Sequence, residues 1–393
     1  MIDRATVLRL GVGQLVCWGV TFYLVGAFGD RIAADFGWSL AQVQGGFSAA
    51  LLVMGLTSPL AGRLIDRHGG RSVMVCGSLL SALGCTGLAA AQGFVSYYAA
   101  WICIGLAMRL CLYDAAFAAL ARIGGPGAKT AMAQITLLGG LASTVFWPFG
   151  AELADLFGWR IAALAFGGFA LLTAPLHWGL PDARLVSLPT DDPSIAALAP
   201  QSAPKSHRIL AAALYAMVVA FTNTLHSGMS AHMVWVLAGL GVAAGAAAWI
   251  AALRGVGQSS ARLCEVLFGR RLAAVDLNLG AAAGLTAAFL FGVWSGISLP
   301  VAVAFSLLYG GATGLLTITR GTLPLAFLDP ATYGTLVGRL IVPSFALSAV
   351  APVGYALVIE RFGAAGAIWL SASLALATLA AACGLKILSA RPA

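Results

Sequence analysis

The chain has 393 residues, of which 60% are hydrophobic and only 9% charged, and its 22 Lys and Arg against 14 Asp and Glu give a formal charge of +8. So little polar surface cannot cover a water-soluble core of this length, which excludes a soluble globular protein and points to a lipid bilayer. Seven cysteines in no ladder of loop spacings argue against a disulfide framework.

Apolar runs of roughly 20 residues, each long enough to cross about 30 Å of hydrocarbon as a helix, predict twelve spans. The first, 10–29, follows Arg4 and Arg9 as a signal sequence would, but no small-residue cleavage site ends it and Asp30-Arg31 follows directly, so it is expected to be retained. It carries Gln14, Cys17, Trp18 and Thr21. The second, 43–62, runs into GRLIDRHGGR at 62–71, where four charges and a histidine crowd into a chain otherwise poor in them. Spans three, 73–92, and four, 94–121, follow; the fourth holds Cys103, Arg109, Cys111 and Asp114 and ends at Arg122. Spans five, 131–152, and six, 159–180, complete a first group, with Pro148-x-Gly150 inside the fifth.

Residues 181–207 change character, with five prolines, three aspartates and no apolar run, and read as a linker. Span seven, 208–236, places Asn223, Ser227 and Ser230 on one stripe, with His226 at its edge and His232 further on. Span eight, 243–262, carries Arg254 and leads into ARLCEVLFGRRL at 261–272. Spans nine, 273–294, and ten, 300–328, follow. In the tenth, Tyr309, Thr313 and Arg320 fall within about 40° of one another at 100° per residue. Span eleven, 335–359, repeats a Pro-x-Gly at 352–354, and span twelve is 364–388.

The basic residues sort by side. With the N-terminus in the cytoplasm, sixteen Lys and Arg fall in cytoplasmic segments and only Arg31, Arg160 and Arg361 in the opposite loops. That bias orients the chain with both termini inside, and makes the basic excess an orientation signal rather than a nucleic-acid surface. Arg109, Arg254 and Arg320 are left within spans, beside the single clearly intramembrane acid, Asp114. Ionisable groups in hydrocarbon cost several kcal/mol unless paired or facing a wet cavity, so all four are candidates for function.

The two halves also repeat. A shift of 199 residues lays 62–73 on 261–272 without a gap, pairing Arg63 with Arg262, Asp66 with Glu265, Gly70 with Gly269 and Arg71 with Arg270. Tandem halves of this kind predict an all-α integral membrane fold. It has twelve transmembrane helices in two six-helix bundles related by pseudo-twofold symmetry: 1–180, the linker 181–207, and 208–393.

GRLIDRHGGR resembles the loop signature between helices two and three of the major facilitator superfamily, matched here by Gly62, Asp66, Arg67, Gly69 and Arg71. The resemblance implies that the Asp66 carboxylate meets the N-terminus of helix eleven when the cytoplasmic side is shut. Arg71 or Arg122 would then neutralise the charge, and Arg262 with Glu265 would form the second copy of the gate. A shorter resemblance, in FGWS at 36–39 and GGRSVMVCGSLL at 69–80, is to monocarboxylate transporters and oxalate/formate exchangers. In the former, a helix-eight arginine binds the substrate carboxylate; Arg254 is its positional match, and the helix-eight aspartate of that family is absent here. GGLASTVFWPFG at 139–150 lacks the Gly-Pro pair of many drug antiporters, which argues against proton-driven drug efflux.

Three intramembrane cations against one anion call for an anionic cargo, and an arginine fork is shaped to hold a carboxylate by two hydrogen bonds. The expected site comprises Arg254, Arg320, Tyr309, Asn223, Gln14 and Arg109, with Asp114, and secondarily His226 or His232, carrying the coupled proton. Asp114 is expected to pair with Arg320, its counterpart in the other half. Arg109 lies five residues from Asp114 and about 140° around a regular helix, so the two are not expected to share a direction. The chain therefore reads as an inner-membrane, proton-coupled transporter of a small organic anion, a monocarboxylate, working as a monomer without cofactor or metal. The alternative in the same architecture is efflux of a soft metalloid such as arsenite through Cys17, Cys103 and Cys111. No HExxH, nucleophile elbow or phosphate-binding glycine loop is present, which argues against an enzyme.

Overall fold

A computed structural model describes residues 2–182, 205–269 and 272–390. The linker residues 183–204 and Arg270, Arg271 and Arg391 lie outside the described residues. All regular structure among the described residues is helical.

Among the described residues eight helical stretches are long and apolar enough to cross a bilayer, and a bent pair makes a ninth. Two of the stretches, Phe94–Phe157 with 64 residues and Pro330–Ser389 with 60, are long enough for two crossings each at about 1.5 Å per residue. Ala244–Phe268, which carries Arg254, Arg262 and Glu265, completes the set of twelve. In chain order α1 is Arg4–Cys17 continued by Leu24–Phe36, α2 is Leu40–Leu56 with Ser58–His68, and α3 is Gly70–Ala89. Next, α4 is Phe94–Cys111 with Tyr113–Gly124, α5 is Lys129–Gly140 with Ala142–Phe157, and α6 is Trp159–Trp178. In the remainder, α7 is Lys205–Gly239, α8 Ala244–Phe268, α9 Ala274–Gly292 and α10 Leu299–Thr322. Tyr333–Leu340 begins α11, and Val342–Ala390 carries the rest of α11 and, beyond a kink at Gly363, α12.

Phe36-Gly37-Trp38-Ser39 is the turn that separates the first two helices. Gly37 ends α1 at φ 66°, a left-handed conformation that disfavours any Cβ. Ser39 opens α2, its Oγ accepting from the Gln42 amide while the Gln42 side chain accepts from the Ser39 amide.

Contacts group the chain into two units, Met1–Val186 with Pro330–Val342, and Ser187–Asp329 with Pro343–Ala393. The first unit is organised by interruptions. In α1, Trp18–Phe22 is π-helical. α2 bends by 51° ahead of Pro59, which has no N–H to continue the ladder. α4 breaks at Leu112, an extended residue at φ −80°, ψ −173°. The second unit is held by a glycine seam between α8 and α10. A Cβ on Gly310 would lie 2.9 Å from the Arg254 Cα, and one on Gly314 would lie 2.7 Å from the Gln258 carbonyl oxygen, so only glycine permits this backbone approach. Apolar side chains such as Leu83, Val95, Trp178, Trp294 and Val353 stay exposed, as a lipid-facing surface requires.

Candidate functional site

In the first unit the charged loop acts on the start of α11. Asp66 Oδ1 accepts from the Gly334 amide at 2.9 Å and Oδ2 from the Thr335 amide at 2.6 Å. These are first-turn N–H groups of Tyr333–Leu340, which have no acceptor inside their own helix. Gly62 allows the approach, because a Cβ there would run into the Gly334 carbonyl. Arg122 Nη1 donates to the carbonyls of Ile65, at 3.2 Å, and Asp66. Arg71 Nε instead donates to the Leu180 carbonyl at 2.7 Å, and Arg67 stays exposed. Gly69 caps this segment of α2 at φ 84°. Asp66 lies past the end of the apolar run. Burial pushes its carboxyl above the ordinary value, opposed by the hydrogen bonds from Thr335 and Gly334 and by the Arg122 charge. Asp66→Ala should lower the melting midpoint by several degrees, since each orphaned amide costs about 1–3 kcal/mol. Asp66→Asn, which keeps an acceptor, should lose less. An unchanged midpoint in Asp66→Ala would mean the contact contributes nothing to stability.

Arg109 and Asp114 meet. Arg109 Nη1 lies 2.9 Å from Asp114 Oδ2, both side chains are buried, and Arg109 Nη2 donates to the Ser58 carbonyl at 3.5 Å, where α2 bends. The divergence expected of a regular helix is corrected by the extended residue Leu112 between them, which turns the second segment of α4 so that Asp114 faces back toward Arg109. Asp114 also sits in the first turn of that segment, where the helix dipole favours its charge. Gln14 is fully buried and donates to the Cys111 carbonyl at 2.7 Å, next to the same break, while its own carbonyl oxygen accepts from Trp18 Nε1 at 3.2 Å. Its amide donor, expected to face cargo, serves the helix interruption.

The second unit holds the other arginines. Arg254, partly exposed, donates from Nη1 to Ser230 Oγ of α7 at 2.8 Å and sits with Cζ 5.8 Å from the centre of the Tyr309 ring of α10. No described carboxylate lies within 4.0 Å of it. The ring is fully buried, and stacking of this kind contributes about 0.5–2 kcal/mol to holding the guanidinium. His226 feels the charges of Arg254 and Arg262. Arg262 and Glu265 are both buried.

Much of the α7 polar stripe is spent on α11. Asn223 Nδ2 donates to Ser344 Oγ at 3.3 Å, Ser227 Oγ to the Ser348 carbonyl at 2.7 Å, and His232 Nε2 lies 2.9 Å from the Pro352 carbonyl. Ser344, Ser348 and Pro352 recur every four residues, a complementary stripe that sequence reasoning passed over. Arg320 stands eleven residues beyond Tyr309, about 16 Å along α10, with Cζ 5.8 Å from the Phe345 ring centre. Its carbonyl accepts from Tyr215 Oη at 2.8 Å.

The thiols do not converge as a set. Cys17 lies beside Cys111, and its Sγ donates to Thr173 Oγ1 at 3.8 Å, whereas Cys103 donates to the Leu80 carbonyl at 3.4 Å. Among the described residues no group of three or more His, Cys, Asp or Glu is placed to hold a metal ion.

Residues 10–338 match the family model described as Major Facilitator Superfamily. Comparison with curated proteins found no similar sequence. Among solved structures the chain is similar to the human organic anion transporter MFSD10 (TETRAN), with a TM-score of 0.74 and 20% identity over 96% of this chain and 99% of that one. It is similar to the proton:xylose symporter XylE bound to 6-bromo-6-deoxy-D-glucose, with a TM-score of 0.74 and 13% identity over 95% and 94%. It is also similar to the transporter FucP in the outward conformation, with a TM-score of 0.70 and 16% identity over 97% and 99%. At such identities the likeness is one of fold.

Proposed function

This chain belongs to the major facilitator superfamily, a family of transporters and not enzymes, and from that premise we propose that it moves a small organic anion, a monocarboxylate, by proton-coupled alternating access. The observation that carries the proposal is Arg254. Its guanidinium is tethered by Ser230 and Tyr309, is partly exposed, and has no described carboxylate against it. A fork held in that way keeps donors for an incoming carboxylate, and pairing in a low-dielectric site is stronger than in water. Arg109 and Asp114 offset one another, so the proposal places the cargo's charge at Arg254. The buried Arg109–Asp114 pair is the proposed seat of proton coupling, with His226 secondary. The Asp66 contact is the proposed cytoplasmic latch, made and broken as the halves 1–180 and 208–393 rock about the linker.

The charge sorting of the loops supports an inner-membrane protein with both termini in the cytoplasm, and the proposal takes it as a monomer. The organic anions of MFSD10 and the xylose of XylE belong to those proteins; at 20% and 13% identity they do not choose the cargo here. Metalloid efflux is the weaker reading, because Cys103 is engaged elsewhere and only Cys17 and Cys111 adjoin.

Uptake of labelled small carboxylates by proteoliposomes, with and without an imposed inward proton gradient, tests the proposal. Gradient-stimulated accumulation that survives joint replacement of Cys17, Cys103 and Cys111 by Ser is expected. Uptake of none of the acids, or loss of it in the thiol-free protein, would overturn it.

A further inference from the structure

The Pro-x-Gly of α11 falls where that helix meets α7, and it takes a backbone donor away. Pro352 has no N–H, so the Ser348 carbonyl, one turn earlier, loses the i+4 amide that a regular helix would give it. In a bilayer such a carbonyl must find a donor within the protein, and α7 supplies one: Ser227 Oγ donates to the Ser348 oxygen at 2.7 Å. A second bond sits at the proline itself. The Pro352 carbonyl can only accept, so His232 Nε2, 2.9 Å away, carries the proton and donates. Beyond the proline, the Tyr355 ring packs against α7 at Gly228, where a Cβ would overlap the ring, and Tyr355 Oη lies 2.8 Å from Ser371 Oγ of α12.

A bond inside a helix moves with that helix, whereas one borrowed from a neighbour breaks when the two part. The outer segment of α11, residues 353–360, is helical but joined to the rest across a turn that has given up its own bond to α7. We propose that α11 pivots at Pro352 and that Ser227 is the catch: engaged, it pins the turn to α7; released, it lets the outer segment swing about the proline. Ser230, three residues further along α7, holds the Arg254 guanidinium, so the catch lies about one turn from the arginine proposed to take the cargo. The pivot does not depend on what Arg254 binds, and it is tested without cargo.

Hydrogen–deuterium exchange and thermal melting of the full-length protein in detergent test this with Ser227→Ala, Pro352→Ala and the two combined. Ser227→Ala should speed exchange of the amides of residues 353–359 about tenfold and lower the melting midpoint by about 2–4 °C. Pro352→Ala gives the Ser348 carbonyl an amide in its own helix. It should therefore slow exchange over the same residues, and adding Ser227→Ala to it should change neither reading. If Ser227→Ala alone does not fold, the double variant should. Equal exchange over 353–359 in the unmodified protein and in both single variants overturns the pivot. An effect of Ser227→Ala as large in the Pro352→Ala background as in the unmodified protein overturns the catch, and so does a double variant that does not fold.

Discussion

Arg254→Gln should reduce the apparent affinity for an anionic cargo by about 10²-fold or more while leaving the melting midpoint nearly unchanged. Two charge-assisted hydrogen bonds to a carboxylate contribute about 1.5–3 kcal/mol each, and a neutral amide cannot restore either the charge or the fork. Stability should change little, because the side chain is partly exposed and gives up one hydrogen bond to Ser230 and one stacking contact with Tyr309. Arg254→Lys should fall between the two, keeping the charge and losing the planar pair of donors. Proteoliposome uptake across a concentration series reads this directly. A variant Arg254→Gln that transports the acid with its original half-saturation would remove the anion from the site.

Asp114→Asn should act in the opposite pattern, with a large loss of stability. It leaves the buried Arg109 guanidinium facing a neutral amide, and breaking a buried pair from one side costs about 3–5 kcal/mol, on the order of 10 °C in midpoint. The double variant Arg109→Gln with Asp114→Asn removes both charges and should recover much of that loss. If the pair carries the proton, the double variant should exchange cargo across the membrane yet gain nothing from an imposed pH gradient. Gradient-driven accumulation by a stable double variant would move the proton to another group.

Much of this was legible in the sequence. Span lengths led to a twelve-helix fold, span eight included, and the Pro-rich linker and the repeated loop divided it into two halves. The interruptions were less accessible. Pro59 marks the bend of α2, but Leu112 sits in an apolar run with neither glycine nor proline beside it, and nothing in periodicity announces an extended residue there. Its stabilisers are distant in sequence: Gln14, from α1, bonds to the Cys111 carbonyl, and Arg109 reaches the Ser58 carbonyl at the bend of α2. Assuming a regular helix, the spacing of Arg109 and Asp114 pointed them apart.

The glycine seam has a mechanical consequence. With Gly310 and Gly314 setting one backbone directly against the other, α8 and α10 resist sliding past each other and are expected to tilt as one stiff lever. Arg254 is mounted on one arm and Arg320 on the other. Any movement of α8 that displaces the first guanidinium therefore displaces the second as well.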